Sequence, residues 1–428
     1  MAASVMPRFV MTGSSHCPPP LGASVAAMPS HREKKTKKKH HKGETEENTF
    51  FRKKHKAETL EDDLLGNCIT IGSDCAGLCS EGIALELLGV KHRHMFACEV
   101  NDTVRHLLYQ AYGKRAMVYY RDVTTRRHDL APKVDLYCFG APCQPFSPAG
   151  QGKGMTDPRS KAFTSCVAYI AEQRPKCFVC KNSHRLLSTK FVAEWLALKK
   201  NLKSLGYYIR YKIINTQDHG IPHSRPRTYL VGVRRDIQAR KFRFPKPIPA
   251  EPVDRFLDDG LTSSCASRVR LRQSANVDAV MDRARRILQS KGVDPTKEPC
   301  FVETGASVNW SSVMVGRSPC LTATRCANGG HYITNLGRLM TMSEMCRLQG
   351  LPPNRINYGK ANVSHKKFAK AVGNMMSINV LQRILPILLK CAGLPVNGCF
   401  KNIPSVFSHR LLGRTWDECM DTDALLVA

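Results

Sequence analysis

The residues with the clearest chemical potential lie in Gly140-Ala-Pro-Cys143-Gln-Pro-Phe-Ser147. Cys143 follows the apolar run Val134-Asp-Leu-Tyr-Cys-Phe139, which reads as a buried strand, so the thiol falls in a loop at a strand's end. In open α/β sheets such loops carry ligands and chemistry. Sulfur attacks electrophilic carbon well once ionised, which makes Cys143 a candidate nucleophile. The plain alternative is a small buried apolar residue, the common fate of cysteine in a chain that has 18 of them. Two cations could serve such a thiol. Arg225 and Arg227, in His223-Ser-Arg225-Pro-Arg227, stand two apart on a segment that reads as extended, so they point to the same side. A guanidinium pair there can favour a thiolate and clamp a carbonyl or a phosphate.

A second group of residues suits an adenosine ligand. Asp74-Cys-Ala-Gly77-Leu-Cys-Ser-Glu-Gly82 follows a short strand and opens a helix. Small residues at such a turn let a ligand approach the backbone and the helix N-terminus. Glu99 ends the next strand, about 20 residues on, where an acid is suited to ribose hydroxyls. Asp122 ends the following unit and could accept from an adenine amino group.

The elements that must position these residues alternate between strand and helix. Strands are expected at 68–72, 95–100, 134–139, 177–180, 207–215 and 229–233, with helices at 82–88, 102–112, 162–171 and 191–205. Such alternation argues for a mainly parallel, doubly wound sheet. It breaks near residue 236 in the proline-rich stretch 242–252, and one amphipathic helix is expected at 277–288, with Arg283, Arg285 and Arg286 on its solvated side. Regular alternation resumes near Ser318.

Taken together, these segments resemble the cytosine-5 methyltransferases over about residues 67–395. The resemblance is carried by Pro142-Cys143-Gln144-Pro145-Phe146-Ser147 with Gly150, Gly154, Asp157 and Arg159. Asp74–Gly89, Glu99, Asp122, His219–Arg227 with Gly232, Ser318–Thr324, Leu339–Pro352 and Gly373-Asn374 follow in the expected order. It implies an α/β, Rossmann-like, S-adenosylmethionine-dependent fold with a smaller target-recognition domain inserted. The expected division is a disordered basic tail at 1–66, catalytic and cofactor-binding residues 67–235, the insert at 236–318, a return at 319–395 and a tail at 396–428. S-adenosylmethionine would be held by Asp74, Ala76, Gly77, Glu99, Asp122, Pro142 and Asn374. The implied activity is that of a DNA (cytosine-5) methyltransferase. Cys143 adds to C6 of cytosine, C5 becomes enamine-like and takes the methyl group, and Arg225 and Arg227 serve as electrostatic partners. A duplex target must be flipped out of the stack at a cost of a few kcal/mol. Glu344, Arg347 and Gly350 are expected to be scaffold.

The main departure is Lys181, in Lys181-Asn182-Ser183 after Arg174-Pro-Lys-Cys-Phe-Val-Cys180. The family carries Glu there, contacting N3 and the exocyclic amine. A carboxyl group donates to one and accepts from the other, whereas an ammonium only donates. Impaired methylation of cytosine is therefore expected, with a preference for a base such as uracil as the alternative consequence. Cys79 and Ser80 replace family glycines, His223 a glutamine, and Met375-Met376 follow Asn374. Rival readings are an inactive DNA-binding homologue, which Lys181 favours, and an RNA methyltransferase of the same fold.

Charge agrees with a polyanionic partner. The 428 residues carry a formal +30. Residues 1–56 hold 12 Lys and Arg against 4 Asp and Glu, leaving +22 in the body. A basic folded body points to nucleic acid, here DNA with RNA as the alternative. No run of 18 apolar residues is present, so no membrane partner is expected. The cysteine usage suggests reduced thiols, and the basic run Lys34–Lys42 suggests a nuclear location. Cys177-Phe-Val-Cys180 is a lone CxxC and no metal site is expected from it.

Overall fold

A computed structural model describes residues 68–114, 116–147, 152–260 and 266–396. The expected tails at 1–66 and 396–428, with the run Lys34–Lys42, lie outside the described residues apart from Val396, as does Gly150.

The strands are β1 (Ile69–Asp74), β2 (His92–Cys98), β3 (Val118–Tyr120), β4 (Leu136–Phe139), β5 (Cys177–Ser183), β6 (Tyr207–Asn215) and β7 (Pro226–Arg234). They form one sheet in the order β3-β2-β1-β4-β5-β7-β6. All pairs from β3 to β5 are parallel, and β7 runs antiparallel to both β5 and β6. The expected doubly wound, mostly parallel sheet is therefore present, closed at one edge by a hairpin.

Both faces of this sheet are buried, and the side-chain period of two shows it directly. In β4, Leu136 and Cys138 enter one core while Tyr137 and Phe139 enter the other. In β5, Cys177 and Val179 go one way and Phe178 and Cys180 the other. Cys177 and Cys180 thus point to opposite faces, which dissolves the CxxC as a metal pair. The first face is covered by α1 (Ser80–Leu87) and, from the far end of the chain, the apolar helix Ile378–Cys391. Asp102–Tyr112 forms α2, and the second face is covered by α3 (Ser160–Gln173) and α4 (Val192–Ser204). Residues 365–391 are apolar enough to cross a membrane by composition, but most of that stretch is buried in the fold.

Beyond residue 236 come α5 (Ala275–Ser290), β8 (Cys300–Val302), β9 (Val313–Val315), α6 (Ala323–Ala327), β10 (Tyr332–Ile333) and β11 (Arg338–Leu339). The four short strands make an antiparallel sheet in the order β11-β10-β8-β9. This sheet takes strands from both sides of Ser318. Arg283 of α5 donates to the carbonyl and hydroxyl of Ser311 at 2.9 and 3.2 Å, so it ties the helix to the sheet rather than lying solvated. Then follow α7 (Met342–Arg347), α8 (His365–Asn374) and α9 (Ile378–Cys391). Helix α7 starts in a capping box of Thr341 and Glu344, and Glu344 also takes a buried bidentate pair from Arg338. Arg347 holds Phe256 O and Asp258, and Gly350 turns with φ +75°. These are the scaffold roles expected of Glu344, Arg347 and Gly350.

Candidate active site

The candidate residues meet at the carboxyl edge of the parallel strands. The turn after β1 carries Ala76 and Gly77, β2 is followed by Glu99, β3 by Asp122, β4 by Pro142 and Cys143, and Lys181 lies near the end of β5. Arg227 faces Ser183 across the β5–β7 pair, at the same edge. Strands distant in sequence thus deliver their ends to one crevice, the usual place for ligands in such sheets.

On the side of β1 to β3 the site is acidic. The turn after Asp74 takes left-handed backbone at Cys75, Gly77 and Cys79. A Cβ on Gly77 would meet nothing within 4 Å, so the turn is open above its backbone. Glu99 fixes it: one oxygen accepts from Gly77 N at 3.0 Å and the other from Asn101 N at 3.0 Å. Ala76 N donates to Cys98 O at 3.0 Å. Asp122 Oδ1 accepts from the backbone N and the hydroxyl of Thr124, both at 2.8 Å, while the residue stays partly exposed. Val100, beside Glu99, is 72% exposed, a large apolar surface at the mouth of the crevice.

Asp74, expected among the cofactor ligands, is engaged within the protein. It is fully buried, and its oxygens accept from Arg126 at 2.7 and 2.6 Å and from Tyr137 Oη at 2.5 Å. Arg126 is itself flanked by the rings of Phe96, Tyr120 and Tyr169 at 4.9–5.1 Å. The pair locks the loop carrying Asp122 onto the end of β1. It positions the acidic side. Sequence alone hides Arg126, because its partner is 52 residues away.

Below the turn, Cys79, Glu81 and His94 bring three ligand-type atoms within 4.8 Å of one another. Ser73 Oγ donates to Glu81 and sits 3.0 Å from His94 Nε2. Burial pushes Glu81 up to about 7 and His94 down to about 3, which disfavours charge on both, and His94 Nδ1 is buried without a hydrogen-bond partner.

The other side of the crevice is cationic. Cys143 is exposed, at the start of a short 3-10 turn formed by Gln144–Phe146. Asn182 Nδ2 donates to Ala141 O at 3.4 Å and ties this loop to β5. Asp157 holds Arg159 through three N–H bonds of 2.6–3.0 Å, and that guanidinium lies within electrostatic reach of Cys143. Lys181 is half-buried, and its Nζ donates to Asn374 O at 3.3 Å. Burial, then Arg225 and Arg227, push its pKa down to about 7, partly offset by Cys143. Asn374 is exposed at the end of α8, so the return segment reaches the site through its backbone. Gly373 permits this approach, since a Cβ there would lie 2.4 Å from Thr322 O.

The arginine pair divides its work. Both reach Cys320, as their spacing requires. Arg225 is 2% exposed and donates to the carbonyls of Leu321, Gly373 and Met375. Its two terminal nitrogens are engaged by backbone carbonyls, so it braces the site. Arg227 is half-buried and donates to Pro226 O at 2.7 Å and Cys320 Sγ at 3.3 Å. Burial alone would raise the Cys320 thiol, but Arg227 and Arg225 outweigh it and bring it below its ordinary value. His223 is also a brace: its ring accepts from Leu321 N at 3.0 Å and sits 2.9 Å from Leu348 O. Arg126, Val100 and Cys320 were not singled out from sequence. Only Val100 carried a signal there, as an apolar residue directly after the acid ending β2.

Comparison with known proteins decides the family. Residues 74–390 match the family model for C-5 cytosine-specific DNA methylase. The chain belongs to that family. Among curated relatives, Type II methyltransferase M.NgoBI of Neisseria gonorrhoeae is 28% identical over 68% of this chain and 84% of its own length. Type II methyltransferase M.HaeII of Haemophilus aegyptius is 27% identical over 72% and 89%. The solved structure of the Entamoeba histolytica methyltransferase EhMeth superposes with a TM-score of 0.56 at 16% identity, covering 76% of this chain and 98% of that one. The S. pombe Dnmt2 methyltransferase gives 0.53 at 18%, covering 75% and 98%. These two support the fold.

Proposed function

We propose that this member of the family transfers a methyl group from S-adenosylmethionine to carbon 5 of cytosine in DNA, through a covalent adduct on Cys143. The observation that carries this reading is an exposed cysteine set between an acidic, open-backed turn and a cationic wall on one sheet edge. The residues of the acidic side fit the cofactor. A carboxylate offers about four lone-pair sites, so Glu99 can hold two backbone N–H groups and still accept from ribose hydroxyls. Asp122 keeps acceptor capacity for the adenine amine, and Val100 offers an apolar surface for the ring. Ala76, Gly77 and Pro142 line the approach, with Asn374 beside them. When bound, the sulfonium supplies an electrophilic methyl group.

The chain's own residues do the rest. Cys143 Sγ adds to C6 and later leaves it. Arg227, with Arg159 behind the loop, supplies positive potential for the thiolate and the base carbonyl. Lys181 can donate to N3, but it offers the exocyclic amine no acceptor when protonated, so the cytosine reaction is slowed. The insert 236–318 and the basic body are assigned to DNA recognition, and Lys34–Lys42 to nuclear entry. The test is transfer of labelled methyl from S-adenosylmethionine to duplex DNA and to tRNA. Label in DNA that vanishes with Cys143→Ala is the expected result. Label in tRNA alone, or label that survives Cys143→Ala, overturns the reading.

A further inference from the structure

The wall beside Cys143 consists of donors. With C6 of a pyrimidine over the thiol and C5 turned toward the cofactor, the edge left to be held is C2–N3–C4. Strand β4 pairs with β5 so that Phe139 stands opposite Cys180, which places Lys181 beside the loop Gly140–Cys143. The groups acting most strongly on Lys181 are the guanidiniums of Arg225 and Arg227 and the thiols of Cys143 and Cys180. The carbonyl of Asn374 nearby is already engaged by Lys181. Gln144 Oε1, beside Cys143 in sequence, is buried and has no partner. Asn182 Oδ1 accepts from Ser183 N at 2.7 Å.

We propose that this site methylates carbon 5 of uracil in DNA in preference to cytosine, with Lys181 as the specificity-determining residue. The inference rests on the C5-methylation reading above. The two bases share O2, which Arg227 can serve. They differ at N3, an acceptor in cytosine and an N–H in uracil, and at position 4, where uracil presents an acceptor oxygen and cytosine an amino group. The Lys181 ammonium is assigned to position 4. Against Lys181 the oxygen gains a charge-assisted hydrogen bond, and the amine meets another donor. The difference grows in the adduct. Addition of the Cys143 thiolate to C6 moves an electron pair through C5 and C4 onto O4, giving an enolate that the Lys181 N–H faces. C5 then forms a bond to the methyl carbon as the carbon–sulfur bond of the sulfonium breaks, releasing the thioether. Loss of the C5 proton to solvent and departure of the thiolate from C6 restore the ring as thymine. A donor that releases its proton near neutral pH suits an oxygen whose charge appears and disappears within one turnover.

The experiment uses the full chain with labelled S-adenosylmethionine and duplex DNA in which uracil replaces thymine, so that both bases compete in one substrate. Digestion to nucleosides then separates labelled thymidine from labelled 5-methyldeoxycytidine. Labelled thymidine should exceed labelled 5-methyldeoxycytidine by about tenfold or more, because a polar site rejects a base that leaves a buried group mispaired. Lys181→Glu should invert the ratio. Lys181→Gln, which carries a donor and an acceptor on a neutral side chain, should bring it near one. A wild-type preference for cytosine, or a ratio unmoved by both substitutions, overturns the inference and leaves the methylation reading standing. No label in either nucleoside from any of the three chains overturns both.

Discussion

The two halves of the crevice are built on different principles. The side from β1 to β3 is held by carboxylates whose partners lie within the protein: Asp74 on Arg126 and Tyr137, Glu99 on two backbone N–H groups, Asp122 on Thr124. The side from β4 to β7 gathers Lys181, Arg225, Arg227 and Arg159 around two thiols, Cys143 and Cys320, with Asp157 the acid that holds Arg159. The first half has its carboxylates partnered before any ligand arrives, as a rigid cradle requires. The second carries unmatched positive charge, which suits a polyanionic substrate and an anionic adduct. Within each half one charged residue braces and another faces the crevice: Asp74 behind Glu99, Arg225 behind Arg227.

That division can be broken by substitution. The largest effect is expected from Cys143→Ala, which should lower methyl transfer by about a thousandfold or more while leaving S-adenosylmethionine binding intact, since the cofactor side makes no use of the thiol. Loss of cofactor binding in that variant would show that the halves are not separate. Next come the braces. Arg225→Ala leaves three carbonyls without their donor and should cost about 3 kcal/mol or more in denaturant unfolding. Arg227→Ala should cost under about 1 kcal/mol and instead lower the rate. Equal destabilisation by the two would erase the distinction. Asp74→Asn leaves Arg126 buried without its counter-charge and should cost about 3 kcal/mol, again read by unfolding.

Smaller effects follow from Lys181. Its folded-state pKa of about 7 lies below the ordinary lysine value, so folding favours the neutral amine. The penalty for burying the cation is fully present below pH 7 and fades as pH rises toward the unfolded value of about 10.4. Lys181→Met should therefore raise stability near pH 7, on the order of 2 kcal/mol, with the gain shrinking between about pH 7 and 10. The same titration enters the rate. Uracil methylation that uses the protonated amine should fall as pH rises through about 7, and Lys181→Arg should flatten that limb because a guanidinium stays charged. A limb unchanged in Lys181→Arg would assign it to another group.

Much of this architecture was legible in the residues. Helix α2 and strand β6 occupy the expected 102–112 and 207–215, and the continuous apolar runs of β4 and β5 announced a sheet buried on both faces. Strand β3 was missed because its three residues are only partly buried and lack periodicity. The small sheet was missed because β8 to β11 have two or three residues each, too short for a period of two to register. Among the site residues, spacing revealed that Arg225 and Arg227 share a side but not that one is sunk among carbonyls. An acid after a strand read the same for Asp74 and Glu99, and only the position of Arg126, distant in sequence, separates brace from ligand. Lys181 was legible as a change of chemistry, whereas its hold on Asn374, 193 residues away, depended on the fold.

The most direct test of the central claim is covalent trapping on DNA carrying both 5-fluorocytosine and 5-fluorouracil, where fluorine at C5 blocks the final elimination. With S-adenosylmethionine present, the account expects a denaturation-resistant complex whose peptide mass places one methylated fluoropyrimidine on Cys143. A complex mapped to Cys320, or none formed by a folded chain that binds both DNA and cofactor, would contradict it.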